Sequence, residues 1–384
     1  MIPNGARRPV RRLGVWAAKQ LIQILSQVLP KDRSSVLVYG LTPSDDGALA
    51  VQAALIERGY SPVRLVDPRF DPCTAQPGLS YVPKHSLRGA WALARAFTVF
   101  TSHALYRGLA LGRRQRLVLL WHGEVVKPVG RLDGDRPVPA DLAPVCSELG
   151  QVYRVAEFDL RPDQIPIVGA PRNDRLLSAD SAEVRSRLGW PLDRPTWLWL
   201  PTYRQSVRGG LRSDTEPSSS GLPFTAESLA RLDGLLTERG IDVVIKPHPL
   251  AVQSIPDGYR SLTILTQDAL DQSTVSLYEY LAAADGLITD VSSVWIDFLL
   301  RDRPMIFAFP DLAQYRSNRG FNLEPYEDWV PGPVVSDVEA LADHLARSAD
   351  GCDDYVEQRQ VMRRRLHRHS DAASSDRLLD ALGM

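Results

Sequence analysis

Gly286-Leu287-Ile288-Thr289-Asp290-Val291-Ser292-Ser293 is an apolar run that ends on an acid and two hydroxyls, with a helical pattern resuming near Val294. A short apolar run bounded in this way predicts a buried strand, and the polar end followed by a helix predicts a strand-loop-helix unit. The same unit recurs outward in both directions. Runs at 36–39, 63–66, 99–101, 117–121, 145–147 and 165–168 predict strands before it, with helical patterns at 48–58 and 88–96 between them. Runs at 197–200, 243–246, 263–265, 305–309 and 334–335 surround it. Continuous apolar strands separated by helices predict parallel sheets covered on both faces. The expected fold is therefore α/β, with two Rossmann-type doubly wound domains facing a cleft. Ligands gather there, beyond the carboxyl ends of the strands.

The 384 residues suit two domains at ~150 residues each. The expected division is an N-terminal helix over 1–30, a first domain over 31–170, a linker over 171–195 and a second domain over 196–384. The linker is charged and carries Pro171, Pro191 and Pro195, and 206–223 is rich in Gly and Ser, as a loop would be. Forty-five basic residues against 46 acidic ones give a net charge of −1, without the basic surplus of a duplex nucleic-acid binder. Cys73, Cys146 and Cys352 stand far apart, which fits a reducing cytoplasm and neither a disulfide scaffold nor a thiolate zinc site. No apolar run is long enough to span a membrane. Arg7, Arg8, Arg11 and Arg12 precede an amphipathic pattern over 13–29, in which Leu13, Trp16, Leu21, Ile24, Leu25 and Val28 share a face. Lys19, Gln20, Gln23 and Gln27 interrupt it, unlike a signal peptide. Two readings follow: docking on an anionic membrane surface, or packing of the helix onto the first sheet.

No GxGxxG, P-loop, HExxH or GxSxG motif is present, so the usual signals of dinucleotide oxidoreductases, P-loop NTPases, zincins and serine hydrolases are missing. Asp133-Gly134-Asp135 has the spacing of a metal-binding DxD, but in its Gly/Pro-rich setting it predicts a turn, and no metal is expected. Four strand-end clusters carry chemistry. They are Trp121-His122-Gly123-Glu124 with Lys127, Pro201-Thr202-Tyr203-Arg204, Lys246-Pro247-His248-Pro249, and Thr289-Asp290-Val291-Ser292-Ser293. A His beside Gly at a strand end can titrate near neutrality close to a substrate. Hydroxyls at a helix start suit a phosphate. The chain has 40 Arg but only five Lys, and two of the five, Lys127 and Lys246, fall inside these clusters. Lys makes a compact point-charge contact with phosphate. Taken singly, each residue has a structural alternative: a core histidine, an N-cap, a surface cation. Their conjunction predicts a transferase acting on a phosphorylated donor.

These residues resemble the CDP-glycerol glycerophosphotransferase family of teichoic-acid and capsule synthesis. The resemblance runs in order from Trp121 to Arg377. His122-Gly123 with Lys127 and Gly130 is similar to the family's Trp-His-Gly segment. Gly169-Ala170-Pro171-Arg172-Asn173-Asp174, Pro201-Thr202-Tyr203-Arg204, Lys246-Pro247-His248-Pro249 and Thr289-Asp290-Val291-Ser292-Ser293 follow, then Arg303-Pro304, Asp311, Tyr315, Arg319-Gly320-Phe321 and Ala373-Ser374. Glu124-Val125 stands where the family usually has Thr-Pro, Val291 replaces an aromatic and Tyr203 replaces Trp.

The resemblance implies a GT-B-like fold. It also implies attack by an acceptor hydroxyl on the alditol-side phosphorus of a CDP-alditol, with release of CMP and no cofactor. His122 would be the general base, with His248, Arg204, Ser292 and Ser293 on the diphosphate. Lys246 and Asp290 would support that loop and helix end, and Lys127 would face the acceptor. The implied partners are CDP-glycerol or another CDP-alditol and a polyprenyl-linked or polymer acceptor, at the inner face of the cell membrane. A GT-B glycosyltransferase using a nucleotide sugar and an inactive cell-wall scaffold are the competing expectations.

Overall fold

The computed structural model describes residues 20, 22–67, 80–103, 105, 111–202, 222–247 and 258–384. Among the described residues, a helix over 22–28 (α1) is followed by β1 (Asp32–Tyr39), α2 (Asp46–Glu57), β2 (Val63–Val66), β3 (Ser80–Pro83), α3 (Leu87–Arg95), β4 (Ala96–Thr101), β5 (Arg116–Leu119) and α4 (Glu148–Phe158). The five strands form one parallel sheet in the order β3-β2-β1-β4-β5. Alternate residues of β1 face opposite sides, as strand geometry requires. Val36 and Val38 join Val51, Leu55 and Phe100 in one core, while Leu37 and Tyr39 join Leu65, Leu93 and Val99 in the other.

α5 (Arg172–Ser178) and α6 (Ser181–Leu188) lead into β6 (Thr196–Trp199), α7 (Ala226–Arg239), β7 (Asp242–Ile245), β8 (Leu262–Ile264), α8 (Gln267–Gln272), α9 (Leu277–Ala283), β9 (Gly286–Thr289), α10 (Val294–Phe298) and β10 (Met305–Ala308). α11 (Leu312–Asn318), α12 (Tyr326–Trp329), β11 (Val334–Val335), α13 (Val338–Ala349), α14 (Val356–Leu366) and α15 (Ser374–Leu382) complete the chain. The second sheet is also parallel, in the order β11-β10-β9-β6-β7-β8. Both sheets are thus doubly wound, and each reverses strand order at one point: between β1 and β4, and between β6 and β9. Such reversal points are where open α/β sheets bind ligands.

The structure departs from the sequence expectations in four places. Residues 145–147 and 165–168 form no strands, only one bridge between Val145 and Ile167. Pro144 and Pro166 have no N–H to continue a ladder. β3 was not anticipated; it is a four-residue, half-exposed edge strand ending in a proline. α15 does not stay with the second sheet: Leu378, Leu379 and Leu382 pack into the first core beside Val36, Val38 and Leu55. Asp174 anchors its start by accepting the Ser374 and Ser375 N–H groups at 2.8 and 2.7 Å. Finally, α1 buries Ile22 and Ser26, whereas Ile24 and Val28 of the expected apolar stripe remain 57 % and 70 % exposed. No described helix is long and apolar enough to cross a membrane.

Candidate active site

The strand-order reversals of the two domains present their loops to one another. In the first domain β4 runs on into Ser102-His103, and β5 runs on into Trp121-His122-Gly123. Trp121 adopts a positive φ of 55°, a conformation unfavourable for a bulky side chain, and its ring packs edge-on against Phe158 at 4.8 Å. The His122 ring that follows lies flat on His103, with centroids 4.2 Å apart and planes 3° from parallel. Its Nδ1 meets the Ser102 carbonyl at 3.3 Å. A carbonyl only accepts, so Nδ1 carries the hydrogen and Nε2 keeps its lone pair.

Crowding by protein pushes the His122 pKa well below 6.5, helped by His103, Lys127 and Arg172 and opposed by the Ser102 carbonyl. His122 is nevertheless exposed to solvent as a residue. That exposure weakens the burial contribution, but the neighbouring cations favour the neutral ring independently. Both effects favour the neutral imidazole.

Gly123 brings the two domains into contact. A Cβ at this position would lie 2.6 Å from Ser293 Oγ, so glycine lets the His122 loop approach the Ser292-Ser293 turn without displacing that hydroxyl. On that turn Ser293 precedes α10, and its side chain caps none of the helix N–H groups. Ser292 and Ser293 are half-buried, and neither hydroxyl has a hydrogen-bond partner among the described residues. Asp290 is fully buried. Its carboxylate accepts the Thr202 N–H at 3.1 and 3.0 Å and the Ser292 N–H at 3.2 Å. The Tyr326 hydroxyl donates to its carbonyl at 2.6 Å. Asp290 therefore ties the loop after β6 to the loop after β9, at the reversal point of the second sheet, and these bonds aim it at backbone.

Lys246, just beyond β7, is buried. Burial lowers its pKa from 10.5 to about 8, against the opposing charge of Asp271. Asp271 also accepts from Ser44 Oγ of the first domain at 2.6 Å, so the cleft is bridged on this side too. Lys127 is half-buried where its loop enters the second domain. Val125 and Val126 belong to the core of the second domain, and Asn322 N–H donates to the Val126 carbonyl at 3.0 Å. His248 and Arg204 lie outside the described residues. Asp133 and Asp135 flank Gly134, which is left-handed at φ 71°. Asp133 faces Arg319 at 3.8 Å, so the DxD spacing belongs to a turn.

Beneath this contact lies a buried network that joins Arg172 and Glu124 of the motif segments to Asp297, a link the sequence does not show. Arg172, at the start of α5, donates through Nε and Nη2 to Asp297 of α10 at 2.8 and 3.0 Å, and its Nη2 reaches Glu124 at 3.5 Å. The Tyr278 hydroxyl donates to Asp297 at 2.7 Å. Burial opposes charge on Arg172, but Asp297, Tyr278 and Glu124 outweigh it and hold the guanidinium above its ordinary pKa. Burial and Glu124 push the Cys146 thiol up, which leaves it an inert thiol. Ser102, His103 and Asp45 were overlooked, although Ser102-His103 directly follows the strand expected at 99–101.

Two doubly wound domains that meet through loops at their reversal points define a GT-B-like protein. The family model for CDP-glycerol:poly(glycerophosphate) glycerophosphotransferase matches residues 63–383, and the chain belongs to this family. A teichoic acid ribitol-phosphate primase of Bacillus spizizenii is 38 % identical over 247 residues, 62 % of this chain and 58 % of that protein. A teichoic acid glycerol-phosphate transferase of Staphylococcus aureus is 28 % identical over 233 residues, 59 % of this chain and 56 % of that protein. The chain thus spans little more than half the length of these relatives. Among solved structures, the wall teichoic acid polymerase TagF superposes with a TM-score of 0.79 at 18 % identity, covering 100 % of this chain and 98 % of that one.

Proposed function

We propose that this protein transfers an alditol phosphate from a CDP-alditol to an acceptor hydroxyl and releases CMP. The observation that carries the reading is the Gly123–Ser293 contact. It joins a neutral imidazole on one domain to two unengaged hydroxyls on the other. In the reaction the acceptor oxygen attacks the alditol-side phosphorus, His122 Nε2 takes the hydroxyl proton, and the bond from phosphorus to the CMP oxygen breaks. Ser292 and Ser293, with His248 and Arg204, hold the diphosphate. Lys246 adds charge beside it, Asp290 fixes the two loops, and Lys127 faces the acceptor. Little covalent chemistry falls to the protein, so the site acts by positioning and by stabilising developing charge. Relatives named for both glycerol-phosphate and ribitol-phosphate transfer support a CDP-alditol as the donor class.

We also infer a cytoplasmic protein that sits peripherally on the inner face of the membrane, where a polyprenyl-linked or polymer acceptor would be met. Two features support this. Ile24 and Val28 of α1 and Leu87 and Trp91 of α3 are exposed, the last two at 88 % and 49 %. Residues 1–31 and 72–123 contain no Asp or Glu.

The test is incubation with CDP-glycerol, CDP-ribitol and UDP-sugars in the presence of a chelator, assayed for CMP or UDP. CMP release from a CDP-alditol, abolished by His122→Ala, is expected; a loss of roughly 10²–10⁴-fold is typical of a general base. UDP release from a sugar donor would instead make the protein a glycosyltransferase. Turnover that needs added divalent metal would overturn the metal-free mechanism, and no turnover with any donor would favour a scaffold.

A further inference from the structure

Ser102 sits between two imidazoles and holds both. Its carbonyl accepts from His122 Nδ1 at 3.3 Å, and its hydroxyl lies 2.8 Å from His103 Nδ1. That hydroxyl also donates to the Asp45 carboxylate, so its oxygen is left to accept from His103. Both rings therefore carry hydrogen on Nδ1 and keep the Nε2 lone pair. Asp45 is itself fixed, because it caps α2 by accepting the Ala48 N–H at 3.0 Å. A parallel stack of two rings held in the same tautomer by one serine is more than core packing requires. His103 is also only half-buried.

We propose that His103 is a positioning residue for the transfer reaction: its ring, held by Ser102 and Asp45, fixes the plane of His122 and makes the charge states of the two rings interdependent. This rests on the reading of His122 as the base. The charged groups facing the pair are Asp45 and Lys84 around His103, and Lys127 and Arg172 around His122. A proton on either ring opposes a proton on the other, so the acid limb of the rate profile belongs to the pair. Burial and Lys84 lower the His103 pKa, and Asp45 opposes them. Both rings are thus neutral when the acceptor arrives, and His122 can take its proton without a charged neighbour in the stack.

The experiment uses the full chain, CDP-glycerol and a lipid-linked acceptor, with CMP release followed across pH. His103→Phe keeps a flat ring against His122 but cannot titrate. It should retain kcat within about threefold and move the acid limb to higher pH by roughly half a unit or more, because a like-charged neighbour has been removed. His103→Ala removes the ring as well. Its kcat should fall roughly tenfold or more, with KM for the donor unchanged, and the Phe variant serves as its rescue. If His103→Ala and His103→Phe both match wild type in kcat and in pH profile, the pairing is wrong. It is also wrong if both variants change only donor KM. Undiminished turnover in His122→Ala would remove the base reading itself. Nitrogen-15 spectra of the histidines supply a check independent of activity: both rings should be Nδ1–H in wild type, and an Nε2–H signal from His103 would overturn the arrangement.

Discussion

Lys246 keeps an ammonium group where burial disfavours it, with a pKa of about 8 against the ordinary 10.5. Between those two values the unfolded chain holds a proton that the folded chain has released, so this residue makes stability rise with pH across that window. An anionic donor beside the side chain reverses the bias. It favours the charged form, so binding near pH 8 should draw a proton from the buffer. Calorimetric titration with CMP in buffers of different ionisation heats should show fractional proton uptake in wild type. Lys246→Met should lose that part of the uptake and bind more weakly. Equal uptake in both proteins would take Lys246 away from the donor. The sequence exposed this residue through its rarity and its strand-end position. It could not show the His103 contact, a stack on a residue that follows a different strand.

Arg172 shows what separates a connecting element from a supporting one. α5 carries it, α10 carries Asp297, and Glu124 follows directly on Gly123, so one guanidinium holds the His122 loop and the serine turn in register. All three side chains are at most 6 % exposed. Removing one partner of such a pair leaves a buried charge uncompensated, at a cost of about 3–5 kcal/mol. Arg172→Met should therefore lower unfolding stability by that order in denaturant titrations, and adding Asp297→Asn should recover part of the loss. Arg58→Ala, which breaks partly exposed bridges to Asp376 and Asp380, should cost under about 1 kcal/mol. Equal losses would mean that Arg172 is not central. At this scale the sequence was informative where an element is recognised by its own residues. The apolar runs of β1, β6 and β9 identify those strands without reference to any partner. It was less so where the outcome depends on contacts far along the chain. The segments paired at Val145 and Ile167 lost their ladder beside Pro144 and Pro166, and the stripe of Leu378, Leu379 and Leu382 predicts an amphipathic helix without saying which sheet it covers.

Over the whole molecule a net charge of −1 conceals segregation. Residues 72–123 contain Lys84, Arg88, Arg95, Arg107, Arg113, Arg114 and Arg116 and no acid, and the first 31 residues are likewise free of acids. The described parts of these segments meet. Lys31 donates to the Ala94 carbonyl at the end of α3, Ile22 packs with Leu93, and Gly112 lies so close to α1 that a Cβ there would collide with the Ser26 carbonyl. On the outer side Leu87 and Trp91 stand beside Arg88 and Arg95, and the Arg95 guanidinium lies 5.7 Å from the Trp91 ring. Exposed apolar groups beside cations suit an anionic bilayer, where each cation near the surface contributes ~1 kcal/mol. Reversing two of them should then weaken binding by roughly tenfold or more. We expect the protein to co-sediment with phosphatidylglycerol vesicles and not with phosphatidylcholine vesicles, and to be released by salt. Arg88→Glu/Arg95→Glu and Leu87→Ser/Trp91→Ser should each reduce binding, while CMP release with a soluble acceptor persists. If deletion of residues 1–19 abolishes binding and the α3 variants do not, the membrane contact belongs to the N-terminal segment alone. If no variant changes binding, this face serves another purpose.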